Sequence, residues 1–167
     1  MKFALIAAAA AITMKAQVKD LPTNASDAWA ACNKNGDTVL TYDEVKGCLT
    51  HAVETGDMTP KEARTAGDFV VSHAYMTQQE YLAGAEQLGF TEAQAAGAWH
   101  KFDTNDDGKL SYAEVSNNLW PVLRANPLTK GISKEDLEHD LESHAQIGAN
   151  GFKTAFDEWA KNWAASH

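Results

Sequence analysis

The amino-acid sequence predicts an all-α fold built of helix-loop-helix units, and three observations carry that expectation. Capping signals recur between stretches of helical apolar spacing. Thr59-Pro60-Lys61-Glu62, Thr77-Gln78-Gln79-Glu80 and Ser111-Tyr112-Ala113-Glu114 each set a hydroxyl three residues ahead of a Glu, and Thr91-Glu92-Ala93-Gln94 is the Gln version. Residues 33–44 recur, seventy residues later, as residues 103–114. Both copies are short polar loops with a helical pattern on either side.

Helices are expected near 25–32, 42–54, 60–72, 78–88, 92–102, 112–125, 134–145 and 154–165. Pro60 suits a first helical position, where its missing N–H costs nothing. Gly89 after Leu88 is a stop signal, and Pro121 is expected to kink or end the sixth helix. Phe156, Trp159, Ala160 and Trp163 fall at helical spacing on the last helix and read as a core stripe. Eight helices in four pairs make four units.

The chemistry is concentrated in the loop 103–114. Asp103, Asn105 and Asp107 place oxygens at loop positions 1, 3 and 5, and Gly108 at position 6 permits a sharp turn. Lys109 offers its backbone carbonyl, Ser111 can act through a water, and Glu114 at position 12 can supply two oxygens. Such an all-oxygen set suits a hard divalent cation, calcium. Leu110 is apolar, as expected where two paired loops join backbones in a short ladder.

The earlier copy repeats the scheme with Asn33, Asn35, Asp37, the Val39 carbonyl, Thr41 and Glu44. Outside the loops Trp29 falls on Trp99, Cys32 on Phe102, Val45 on Val115 and Leu49 on Leu119, which indicates duplicated units. The copy departs in two places: Asn33 stands for an Asp, and Thr38 for the glycine. Two side-chain carboxylates against three make it the looser expected site.

Two further loops have lost their oxygens. Tyr75-Met76-Thr77 followed by Glu80 resembles a loop end with Met76 at position 8, which puts Phe69, Val71 and His73 where ligands would stand. Near the C-terminus Asn150-Gly151-Phe152 resembles another relic in one of two registers. Phe152 at position 8 places Phe156 at position 12, and Gly151 at position 6 places Asp157 there.

The chain has 167 residues, 44% hydrophobic and 22% charged, enough for a real core. Its net charge of −9 argues against nucleic acid and anionic membrane surfaces as partners. Met1-Lys2 followed by apolar Phe3 to Ile12 has the form of a secretory signal and is too short to span a bilayer. A leader of residues 1–16 is expected, with cleavage near Ala9-Ala10-Ala11 or Ala16, and no membrane span in the mature chain. Asn24-Ala25-Ser26 is a glycosylation sequon in that setting. The two cysteines, Cys32 and Cys48, flank the first loop. An oxidising compartment favours a bond between them; the alternative is a pair of small buried side chains.

On these motifs the chain resembles the EF-hand superfamily, in particular calmodulin-like and sarcoplasmic calcium-binding proteins, over roughly residues 23–165. The resemblance implies four hands in two paired lobes, 17–89 and 90–167, with the first and third hands binding two calcium ions and no catalytic activity. His139 and His144 lie five apart and no HExxH or nucleophile-elbow pattern occurs, so the histidines add no enzyme signature. Only Met58 and Met76 remain beyond the leader, too few for a methionine-rich groove. A secreted or luminal calcium buffer or calcium-stabilised protein is therefore expected, with a sensor engaging a dedicated protein partner as the alternative.

Overall fold

The computed structural model describes residues 24–166; the expected leader lies outside them. The described chain is mostly helical with four short antiparallel strands. In order these are α1 (Ala25–Cys32), β1 (Val39–Thr41), α2 (Tyr42–Glu54), α3 (Pro60–Ser72), β2 (Tyr75–Thr77), α4 (Gln78–Gln87), α5 (Glu92–Phe102), β3 (Lys109–Ser111), α6 (112–125), α7 (Lys134–Ser143), β4 (Gln146–Gly148) and α8 (Ala149–Ser166). None of the described helices is long and apolar enough to cross a membrane.

The helix starts follow local chemistry. Thr41, Thr59, Thr77, Thr91 and Ser111 each close a capping box with the Glu or Gln three residues on. These reciprocal bonds satisfy two N–H groups that no helix can satisfy internally. Asn24, the exposed sequon residue, caps α1 by accepting from the Asp27 N–H at 3.0 Å.

The sixth helix neither ends nor breaks at Pro121. It runs as a turn at Tyr112–Glu114, a π segment at Val115–Leu119 and an α segment at Trp120–Ala125. The Trp120 N–H donates to the Val115 carbonyl, five residues back. Widening the turn just before the proline relieves the clash that its ring would make in an unbroken α register.

The described residues divide into two compact units, one holding those up to His73 and from Ile147 onward, the other Ala74–Gln146. They thus divide twice, after His73 and before Ile147, rather than once near residue 90. In the first unit α8 packs on α1 and α3, and α3 on α2. Of the stripe expected on the last helix, Phe156 and Trp159 are buried and Ala160 and Trp163 half-buried. Phe152, Phe156 and Trp159 are buried, and Phe152 meets Trp29 edge-on at 5.5 Å between centroids. Ala28 of α1 and Ala66 of α3, the helices α8 packs on, are small and buried. β1 lies beside β4 in this unit.

In the second unit α4 packs on α5 across the turn at Gly89, whose φ of +89° a side chain would resist. That hairpin brings β2 onto β3, with Met76 opposite Leu110 and Tyr75 opposite Ser111. Met76, Tyr81, Trp99, Phe102, Leu110, Leu119 and Leu123 form the core. The ladders therefore join the first loop to the fourth segment and the third loop to the second. Sequence neighbours within each expected lobe are not the ladder partners.

The expected last relic loop is absent. Neither Phe152 nor Gly151 occupies a loop position; both lie in α8, and buried Ile147 of β4 takes the ladder place of Leu40 and Leu110. Gly151 signals close packing rather than a turn, since a Cβ there would meet the His73 carbonyl oxygen at 3.2 Å and Ile147 Cγ1 at 3.3 Å. Phe69 and Val71, expected at ligand positions of the second relic, are likewise absorbed into α3, and His73 caps its end.

Candidate functional site

The loop 103–114 is held by its own oxygens. Asp103 ends α5 and is buried; its Oδ1 accepts from the Asp107 N–H at 3.1 Å and its Oδ2 from the Gly108 N–H at 3.0 Å. Asn105 Oδ1 also accepts from the Asp107 N–H, and Asp107 Oδ1 accepts from the Lys109 N–H at 2.9 Å. Gly108 has φ +78°, the left-handed conformation for which position 6 needs a glycine. Asp106 takes φ +57°, which Asp tolerates better than most residues.

Glu114 ties the two ends of this loop together. Its Oε2 accepts from Ser111 Oγ at 2.8 Å and the Ser111 N–H at 3.0 Å. Its Oε1 reaches back across the loop to the Thr104 N–H at 2.9 Å and Thr104 Oγ1 at 3.0 Å. Burial pushes the Glu114 carboxyl up, but hydrogen bonds from Ser111 and Thr104 together hold it below its ordinary value. Asp103 and Glu114 are thus two buried carboxylates at opposite ends of one loop. Lys109 contributes no charge to the interior; its Nζ lies over the Tyr75 ring, 4.4 Å from the centroid.

The loop 33–44 is looser in the same places. Asn33 Oδ1 accepts from the Gly36 N–H at 2.8 Å, and its Nδ2 donates to the Asp37 carbonyl at 2.6 Å, an amide donor where a carboxylate would offer only acceptors. Asn35 and Asp37 repeat the pattern of their later counterparts: Asn35 Oδ1 accepts from the Asp37 N–H and Asp37 Oδ1 from the Val39 N–H, both at 2.9 Å. The left-handed residue is Gly36, φ +73°, whereas Thr38 keeps an ordinary φ and makes no counterpart of the Gly108 turn. Glu44 Oε2 accepts from the Thr41 N–H and Thr41 Oγ1, and among the described residues that carboxylate reaches no further.

What loop 33–44 lacks in internal bonding it has in a covalent tie. Cys32 and Cys48 are joined, Cα to Cα 5.5 Å, sixteen residues apart, and both are buried. Seventy residues on, the same two places are Phe102 and Asn118, linked by a 3.4 Å hydrogen bond from Asn118 Nδ2 to the Phe102 carbonyl. Asn118 and Thr104 are the two supporting residues that motif reading misses. Both lie at positions the ligand pattern ignores, and the only signal is that they differ from Cys48 and Lys34 in the repeat.

Among the described residues no three His, Cys, Asp or Glu side chains converge on one point. The loop oxygens are turned to their own amides. The donor set nevertheless fits a hard cation: it is all oxygen, and in loop 103–114 two of its carboxylates are already desolvated. Each carboxylate oxygen has lone-pair capacity beyond the N–H it accepts from, so Asp103, Asp107 and Glu114 could share those oxygens between the loop amides and an ion. No family model, curated protein or solved structure matches the chain.

Proposed function

We propose that the chain is a calcium-binding protein of the EF-hand type, secreted or luminal, that holds two ions and serves as a buffer or is itself stabilised by them. The observation that carries this reading is the Glu114 carboxylate, buried and drawn across the loop onto Thr104 beside buried Asp103. That places the position-12 acid over the same loop start that supplies the position-1 acid, the pair a calcium ion would bridge. In loop 103–114 the holders are Asp103, Asn105, Asp107, the Lys109 carbonyl, Ser111 and Glu114. In loop 33–44 they are Asn33, Asn35, Asp37, the Val39 carbonyl, Thr41 and Glu44.

Two observations support the setting. The Cys32–Cys48 disulfide belongs to an oxidising compartment. Met58 and Met76 are both buried in cores, so neither is available to an exposed gripping groove, and the buffer is favoured over a promiscuous sensor. Calorimetric titration of the protein with calcium is expected to give two ions per chain in two phases. A stoichiometry of none or four refutes the assignment.

A further inference from the structure

The second unit contains a cleft of about 280 Å³ that the calcium reading does not use. Its walls come from α4, α5, α6 and α7, and Met76, Leu88, Phe90, Phe102, Leu119 and Leu123 make it predominantly apolar. The volume is nearly twice that of the ~150 Å³ cavity that admits benzene, room for a body such as an octyl chain or two fused rings. On one wall, at the end of α7, stand Asp140 and His144, four residues apart on one helical face. Asp140 Oδ2 and His144 Nε2 are buried and have no hydrogen-bond partner among the described residues. Buried polar atoms are ordinarily satisfied, so two orphans facing one cleft point to a missing partner.

Each of the other polar side chains of the lining has one oxygen engaged elsewhere. Tyr81 donates its hydroxyl to the Ala95 carbonyl at 3.0 Å, Gln94 Oε1 closes the α5 capping box, and Asn126 Oδ1 accepts from the Leu128 N–H. Gly84 lies within α4 and faces the His144 ring; a Cβ there would come 3.1 Å from Cδ2. Glycine is a poor helix former, so its place there is explained by the ring it admits. No Lys or Arg lines the cleft, and the chain is strongly acidic. An acid would therefore meet the Asp140 carboxylate unpaired, whereas an ammonium group supplies donors to both orphans.

We propose that this cleft binds a small apolar molecule headed by a protonated amine, its ammonium hydrogen-bonded by Asp140 Oδ2 and His144 Nε2 and its body among Leu119, Leu123 and Phe102. The proposal stands whether or not the loops bind calcium.

Octylamine, octanol and octanoate, equal in chain length and different in head group, test it by calorimetry and by methyl NMR of Leu119 and Leu123 in the full chain. Octylamine is expected to bind about tenfold tighter than octanol, the margin of one charge-assisted hydrogen bond, with octanoate weakest. Asp140→Asn, isosteric and checked for native circular dichroism, is expected to erase the amine preference while octanol still binds. Gly84→Ala, which crowds His144, is expected to weaken octylamine more than octanol. Equal affinities for the three probes, no methyl shifts with any of them, or an amine preference that survives Asp140→Asn would each overturn the proposal.

Discussion

Loops 33–44 and 103–114 carry the same ladder of oxygens on two different kinds of support. The later loop is held from inside: Asp103 binds two amides of its own turn, Gly108 takes the left-handed conformation, and Glu114 closes the ring onto Thr104. The earlier loop has Asn33 and Thr38 in the decisive places, its Glu44 stays with Thr41, and the helices on either side are fastened by Cys32–Cys48 instead. Where the later loop has a hydrogen bond between Asn118 and the Phe102 carbonyl, the earlier one has a covalent bond. The difference teaches that a duplicated unit can lose the bonds that order a loop if its flanking helices are held some other way.

The sharpest way to break this comparison is at position 12. Glu114→Gln removes the charge that bridges the loop ends and is expected to abolish the tighter calcium phase, read by the fluorescence of Trp99, buried on α5 four residues before the loop. Glu44→Gln should remove only the weaker phase. Loss of the tighter phase in Glu44→Gln would show that internal bonding does not rank the loops.

Next in size is the disulfide. Replacing both Cys32 and Cys48 by Ser opens a cross-link spanning sixteen residues and is expected to cost about 3 kcal/mol in the chain-entropy model. Urea unfolding followed by circular dichroism measures it. The loss should fall on the first unit and leave the hydrogen-exchange protection of the β2–β3 amides around Leu110 unchanged. A change below about 0.5 kcal/mol, the scale of an ordinary surface substitution, would show that the bond is not what supports the loop.

Rebuilding is a gentler test. Asn33→Asp with Thr38→Gly gives the earlier loop the third carboxylate and the glycine turn of the later one. Calcium affinity of the weaker phase should rise by roughly tenfold, because charge count and loop geometry both tune such sites. An unchanged affinity would place the deficit elsewhere, with Lys34 in the position of Thr104 as the first suspect.

The smallest effect probes the second unit alone. Burial raises the Tyr81 phenol to about 12. A raised folded value means that the stability from keeping this phenol neutral is complete below the unfolded value near 10 and is lost as pH climbs from there through about 12. Tyr81→Phe also removes the hydrogen bond to the Ala95 carbonyl and should destabilise at neutral pH by about 1 kcal/mol. The variant should lose the last phenol to ionise in an ultraviolet titration. A titration curve identical in its final step would assign that step to another tyrosine.

The helix boundaries were legible because they rest on neighbours in the chain. Thr59-Pro60, Thr77…Glu80 and Thr91…Gln94 announce helix starts by bonds that close within four residues, and all of them are found. Legible too were the buried ladder residues Leu40 and Leu110, the last-helix stripe and the Cys32–Cys48 bond. The start of α8 was not, since Gly148 before it has no side chain with which to cap, and the Asn150-Gly151 pair imitates a turn. In the same way Pro121 reads as a break, but a π turn absorbs it.

What the sequence by itself determined is local: which stretches are helical, where the capped ones begin, and which two loops keep their oxygens, because these depend on contacts within a few residues. Tertiary structure alone decided which loop faces which strand, that α8 returns to α1 and α3, and that Asp140 Oδ2 and His144 Nε2 have no hydrogen-bond partner among the described residues. Those outcomes turn on the packing of α8, with buried Phe152, Phe156 and Trp159, against α1 and α3, and on the hairpin that lays α4 along α5. Such a fit is a property of two surfaces meeting, and neither surface is written in a run of neighbouring residues.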